Sequence, residues 1–178
     1  MSLVITRPAT AADVPAIVAL VNAAYRGETS RAGWTTEADL LDGQRIDVEG
    51  LTAAIATPNH VILVYDPDRA LVGCVHLERQ NDDCHLGMLT IRPTAQGAGL
   101  GRALLDAAER WAMAHWSARS MEMTVIAQRI SLIAWYERRG YRRTGEQRSF
   151  PYGDPRFGLP RRDDLVFDVL RKPLSPHP

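Results

Sequence analysis

Three glycines fall within five positions, Gly97, Gly99 and Gly101, in the stretch RPTAQGAGLGRALL at 92–105, between a β-rich run and a long helix-forming one. Glycine is costly inside regular structure and is favoured where the backbone turns left-handed or must approach something closely. A helix start has four amide hydrogens without internal partners and carries a partial positive charge, so an anion binds there when no side chain stands in the way. The stretch therefore predicts a strand–loop–helix unit whose loop is either a cradle for phosphate oxygens or a tight glycine turn. Two well-known phosphate loops do not fit the letters. The dinucleotide fingerprint needs a third glycine where this chain has Arg102, and needs its glycines directly after the strand, whereas RPTA intervenes. The nucleotide P-loop needs Gly-Lys-Ser or Gly-Lys-Thr, and GLGR has neither. A dinucleotide-dependent enzyme is thereby disfavoured.

The residues around the loop alternate between β-rich and helical runs. LVITR at 3–7 predicts a short strand, and TAAD at 10–13 has capping-box spacing, with Thr10 at the cap and Asp13 reaching back. Val14, Ile17, Leu20, Val21 and Ala24 then recur at helical spacing and predict a helix ending near Tyr25 and Gly27. TTEADLLDG at 35–43 and DVEGLTAAIA at 47–56 predict two short helical pieces. Strands are predicted at 61–65, 70–79 and 84–91, the last two joined by Asn81, Asp82 and Asp83 into an antiparallel meander. Leu100, Ala103, Leu104, Ala107, Ala108 and Trp111 trace a long amphipathic helix. A strand at 121–127, a helix at 130–140 stopped by Gly140, a strand from Tyr141 and a last strand at 164–170 complete the order. The connection SFPYGDPRFGLPRRDD, 149–164, is long and rich in proline and glycine, which marks a functional loop, a surface excursion or a dimer contact. One domain over 1–172 and a disordered tail over 173–178 are expected.

Length and charge narrow the function classes. With 178 residues, 46% of them hydrophobic, the chain suits one core-forming domain. Its 21 basic and 21 acidic side chains cancel, so no net field favours nucleic acid or an anionic membrane. No apolar run approaches the roughly 18 residues of a spanning helix, and MSLVITRPATAAD lacks the layout of a signal peptide. A soluble cytoplasmic protein without a metal site is expected. On neighbouring hairpin strands, register would hold the only two cysteines, Cys74 and Cys84, about five residues, or roughly 16 Å, apart. Two reduced thiols are expected.

The pattern that fits the glycines is Gln/Arg-x-x-Gly-x-Gly/Ala, present as Gln96-Gly97-Ala98-Gly99-Leu100-Gly101 after LTIRP. Downstream, LIAWYERRGY at 132–141 carries a tyrosine ahead of a Gly-Tyr pair. On these two motifs, and on the order of elements from residue 3 to about 171, the chain resembles the GCN5-related N-acetyltransferase (GNAT) superfamily. The resemblance implies an α/β fold: a mixed, mostly antiparallel central sheet flanked by helices, in which a bulge splays the fourth strand from the fifth into a V. It implies acetyl-CoA as cosubstrate, an amine-bearing acceptor and an acyl transfer by direct attack in a ternary complex. Members often dimerise. A non-catalytic acyl-CoA-binding regulatory module is the alternative.

The resemblance also assigns residues. Leu89, Thr90 and Ile91 on the first arm of the V would hold the pantetheine and acetyl groups through backbone contacts, with an amide there stabilising the oxyanion formed on attack. The pyrophosphate would take amides from Gln96, Gly97, Ala98, Gly99, Leu100, Gly101 and Arg102, and the Arg102 guanidinium adds charge-assisted bonds. Tyr136 matches the family tyrosine beside the cofactor sulfur; a phenol stays protonated at neutral pH and can protonate the departing thiolate. Arg129 lies where many relatives carry an asparagine that contacts the cofactor arm. In histone-type relatives a glutamate base lies eleven residues before the loop glutamine, and counting back from Gln96 gives His85. The imidazole could take a proton directly or through water. Glu28, in the loop AYRGETSRAGW bordering the family's acceptor site, is the second candidate base, or a binder of a cationic amine, or a solvated loop acid. The acceptor itself is open among amino acids, polyamines, aminoglycosides, peptide N-termini and protein lysines.

Overall fold

The computed structural model describes residues 4–175. Its main sheet has seven strands: β1 (Arg7–Pro8), β2 (His60–Tyr65), β3 (Gly73–Gln80), β4 (Asp83–Ile91), β5 (Ser120–Ile126), β6 (Arg142–Ser149) and β7 (Val166–Pro173). Across the sheet they run β1-β2-β3-β4-β5-β7-β6, antiparallel throughout except where β4 meets β5. Five helices flank it: α1 (Val14–Tyr25), α2 (Gly27–Ser30), α3 (Val48–Ala56), α4 (Leu100–Trp116) and α5 (Ile130–Glu137).

Strand alternation sorts the core into two layers. On β2, Ile62 and Val64 point with Cys74 and Met88 toward α1 and α3, while Leu63 points with Val75, Leu77, Met121 and Met123 toward α4 and α5. Each helix buries the face its spacing dictates: Val14, Ile17, Leu20, Val21 and Ala24 on α1, and Leu104, Leu105, Ala107, Ala108 and Ala112 on α4. The capping box forms ahead of α1, the Asp13 carboxylate accepting from the Thr10 amide at 2.7 Å. Cys74 and Cys84 are both buried and free; they lie in opposite core layers, and burial pushes both thiols up to about 12.

The V implied by the resemblance is present. β4 and β5 pair only at Asp83↔Ser120, Cys84↔Met121 and His85↔Glu122, and then part. The cause is on the other edge of β4, where the register against β3 shifts between Cys74 and His76 so that Val75 opposes both Met88 and Leu89. Met88 takes φ +54°, and the extra residue bends β4 away from β5.

Four expectations need correction. Residues 35–43 form no helix; a turn there leads into a two-residue strand, Leu41–Asp42, which pairs with Leu159–Pro160. The helix expected over 130–140 ends at Glu137, and a turn carries the chain to Gly140, φ +92°. The first strand is Arg7–Pro8, and of the expected 3–7 segment residue 3 lies outside the described residues. The last strand reaches Pro173, and the Leu174 amide bonds the Arg119 carbonyl at 2.8 Å, so 173 is strand and 174 is tied to the residue before β5. Residues 176–178 lie outside the described residues.

Candidate active site

The open edge of β4 is where the site begins. The Arg92 amide bonds the Val72 carbonyl across the β3 side at 2.8 Å, so the alternation of an antiparallel ladder turns the amide and carbonyl of Ile91 toward the V. Two side chains reach that edge. The Gln96 Nε2 donates to the Ile91 carbonyl at 3.0 Å, and the Tyr25 hydroxyl donates to the Leu89 carbonyl at 3.0 Å. Both carbonyls are thereby held, and the Ile91 amide between them is aimed into the gap.

A cleft of about 360 Å³ occupies the side of the V toward α4 and α5. Leu89, Thr90, Ile91, Gln96, Gly97, Gly99, Gly101 and Arg102 all line it, so the strand end and the glycine loop form one wall as expected. Gly99 is the N-cap of α4 with φ +78°, and no side chain caps the helix. A Cβ on Gly97 or Gly99 would meet nothing within 4 Å. These glycines are therefore needed for their left-handed backbone, and they leave the helix mouth bare to an approaching anion. The donor set fits a pyrophosphate. Gly101 differs: it has no left-handed φ, and a Cβ there would meet the Trp135 ring at 3.5 Å, an ordinary contact. Ala98 and Leu100 sit in the same loop and helix start but are not among the cleft's lining residues. At the cleft's rim stands Arg139, whose guanidinium lies 3.5 Å over the Trp135 ring, a second cation beside Arg102 that motif reading did not single out.

A second cavity of about 250 Å³ lies on the other side of the V. The two share Tyr25, Leu89, Arg129, Leu132 and Tyr136. Tyr136 thus stands at their junction, its ring edge-on to Trp135 at 5.0 Å and to Tyr141 at 5.7 Å. Burial pushes its phenol well above the ordinary value, and the hydroxyl makes no hydrogen bond with the described residues. His85 lines the second cavity only. Its Nδ1 is 4.0 Å from Glu122, which is itself paired with Arg148 at 2.8 Å. Burial lowers the His85 pKa more than Glu122 raises it, so the ring is neutral at pH 7 and able to accept a proton.

Glu28 is not brought to the site. It lies on α2 with its side chain 89% exposed, pairs with Arg31 at 3.1 Å and lines neither cavity. The acid that does reach the second cavity is Glu37, buried at 5% exposure. Its two oxygens are engaged by Arg26 at 2.9 Å and Arg129 at 2.8 Å, so it holds two buried cations in place. Arg129, expected on the cofactor arm, lines both cavities but is committed to Glu37 and to Thr35 Oγ1 at 2.8 Å. Its role is to fasten the 35–37 turn to the β5–α5 junction. Sequence reasoning missed Glu37, which stands two residues from Asp39 in TTEADLL with nothing local to tell the buried acid from the exposed one. The loop after β6 contributes Phe150, Pro151 and Phe157 to the second cavity, which places the 149–164 connection over it.

Comparison with known proteins agrees with this geometry. The family profile described as an acetyltransferase (GNAT) domain matches residues 34–151. No curated protein matches the chain in sequence. Among solved structures, the ribosomal-protein-S18-alanine N-acetyltransferase of Escherichia coli superposes with TM-score 0.70 at 16% identity, covering 98% of this chain and 96% of that one. The PaiA N-acetyltransferase of Thermoplasma acidophilum, in complex with coenzyme A, gives TM-score 0.70 at 17% identity over 97% and 99%. A spermidine N-acetyltransferase of Vibrio cholerae, in complex with CoA and spermine, gives TM-score 0.70 at 15% identity over 96% and 95%. At such identities the likeness is one of fold.

Proposed function

Because the chain belongs to the GNAT acetyltransferase family, we propose that it moves the acetyl group of acetyl-CoA to a primary amine by direct attack in a ternary complex. The observation that carries this reading is the meeting of two cavities across the V, one walled by the glycine loop and both bordered by Leu89 and Tyr136. Acetyl-CoA lies in the first with its pyrophosphate on the start of α4 and its arm along β4. The acceptor enters the second. His85 takes a proton from the ammonium, through water, and frees the nitrogen lone pair. The C–N bond forms as the carbonyl oxygen becomes an oxyanion, held by a β4 amide in the gap. The C–S bond then breaks, sulfur leaves with the electron pair as thiolate under a hydrogen bond from Tyr136, and the attacking nitrogen releases its second proton to water, from which the thiolate is protonated.

The alternative, an acyl-CoA-binding regulatory module, shares the first cavity and dispenses with the second. Thiol release from acetyl-CoA across a panel of amines separates the two. Release that depends on the amine and saturates with it is expected; binding of acetyl-CoA with no release for any amine would overturn the transferase.

A further inference from the structure

The second cavity carries a charge pattern that selects among amines. Three guanidiniums line it, Arg26, Arg45 and Arg129, against the single carboxylate of Glu37. Glu37 is consumed by Arg26 and Arg129, and Glu122 beside His85 is consumed by Arg148. Arg45 is left over. It is half-buried, its guanidinium lies 5.6 Å over the Tyr25 ring, and among the described residues it has no carboxylate partner. A second ammonium on the acceptor would find no acid here and would lie beside an unpaired cation, which disfavours polyamines.

The remaining wall is apolar, built from Met88, Met123, Phe150, Phe157 and Phe167. The roof is fastened as well. Leu159–Pro160 pairs with Leu41–Asp42, and Arg161 bonds Asp42 at 2.6 Å, drawing the 149–164 connection down over the cavity. At about 250 Å³ the space falls at the small end for a ligand pocket, below the roughly 300–1,000 Å³ usual for drug-sized molecules. A roofed, small and net cationic cavity with an apolar wall suits a compact acceptor better than a protein segment.

We propose that the acceptor is a small amine that also bears a carboxylate and an apolar or aromatic body, as a hydrophobic α-amino acid does, with Arg45 holding the carboxylate. This rests on the acetyl-transfer reading and adds to it the class of acceptor.

The full chain, saturated with acetyl-CoA, would be assayed for thiol release with L-phenylalanine, L-phenylalaninamide, spermidine and an alanine-initiated peptide. Phenylalanine should exceed its amide by about tenfold or more in kcat/KM, the worth of one charge-assisted contact, and Arg45→Gln should collapse that ratio toward one. Acetyl-CoA affinity of the variant, measured by calorimetry, reports that it is folded. Preference for spermidine, the amide or the peptide, or an acid-to-amide ratio that survives Arg45→Gln, would overturn the proposal. If acetyl-CoA binds but no amine releases thiol, the transferase reading fails and the pocket is still decided by titration of CoA-loaded protein. N-acetyl-L-phenylalanine should then bind more tightly than its amide in wild type and not in Arg45→Gln; equal binding in wild type, or none, overturns it.

Discussion

At Tyr136 the surroundings decide which kind of catalysis a phenol can supply. A thiol has an ordinary pKa near 8.5, and burial holds the Tyr136 phenol far above that. In the proposed transfer its help is therefore a hydrogen bond to the charge growing on sulfur, with full protonation following after the C–S bond has broken. Tyr136→Phe removes only the hydroxyl, so acetyl-CoA affinity should hold while the single-turnover rate falls about tenfold or more. A single-turnover rate equal to wild type would make Tyr136 a packing residue. His85 predicts a pH effect of definite sign: burial lowers its pKa, so the rate should fall only as pH drops below the ordinary value near 6.5, where the ring takes up a proton and ceases to be a base. The pH profile of His85→Ala should lack that limb, and identical profiles would leave the proton to water. That Tyr136 and the glycines would share one cleft was legible in the sequence because their motifs are local. Glu37 and Arg45 were not, because a buried acid acquires its role from an arginine 92 positions away, and an arginine is unpaired only by virtue of what the fold keeps from it. Glu28 illustrates the converse, since nearness along the chain suggested a site that α2 turns toward solvent.

Among the elements, α4 joins local structure to binding most directly. Gly99→Glu puts a side chain and a negative charge into the open space at its start, and forces a non-glycine residue to φ +78°. The strain should cost about 1–2 kcal/mol of stability, read in denaturant unfolding, while acetyl-CoA affinity drops at least about tenfold. A folded variant with wild-type affinity would move the phosphates elsewhere. Elements with a clear period, α1, α4 and the β2–β4 meander, could be read from spacing alone because their apolar positions face layers that the chain itself supplies nearby. The 35–43 segment could not. Its composition favours a helix, yet Leu41 and Asp42 are claimed by Pro160 and Leu159, partners about 120 residues on that no local pattern announces. The bulge on β4 has one local mark, Gly87 inside a strand pattern, yet the left-handed φ of +54° falls on Met88, and it was the family resemblance that implied the bulge.

At the scale of the molecule, Glu37 ties the end of α1, through Arg26, to the β5–α5 junction, through Arg129. The three side chains are buried together, so removing the acid strands two cations away from water. Glu37→Ala should lower stability by about 3–5 kcal/mol in denaturant unfolding, far more than loss of the exposed Arg161–Asp42 pair. A cost below about 1 kcal/mol would show that the cations find water instead. The two cavities share Tyr25, Leu89, Arg129, Leu132 and Tyr136. Under the proposed transfer each substrate takes its own cavity, so neither product need leave before the other reactant arrives, and the acetyl group need never be parked on a side chain. Initial-rate plots for the two substrates should then intersect rather than run parallel.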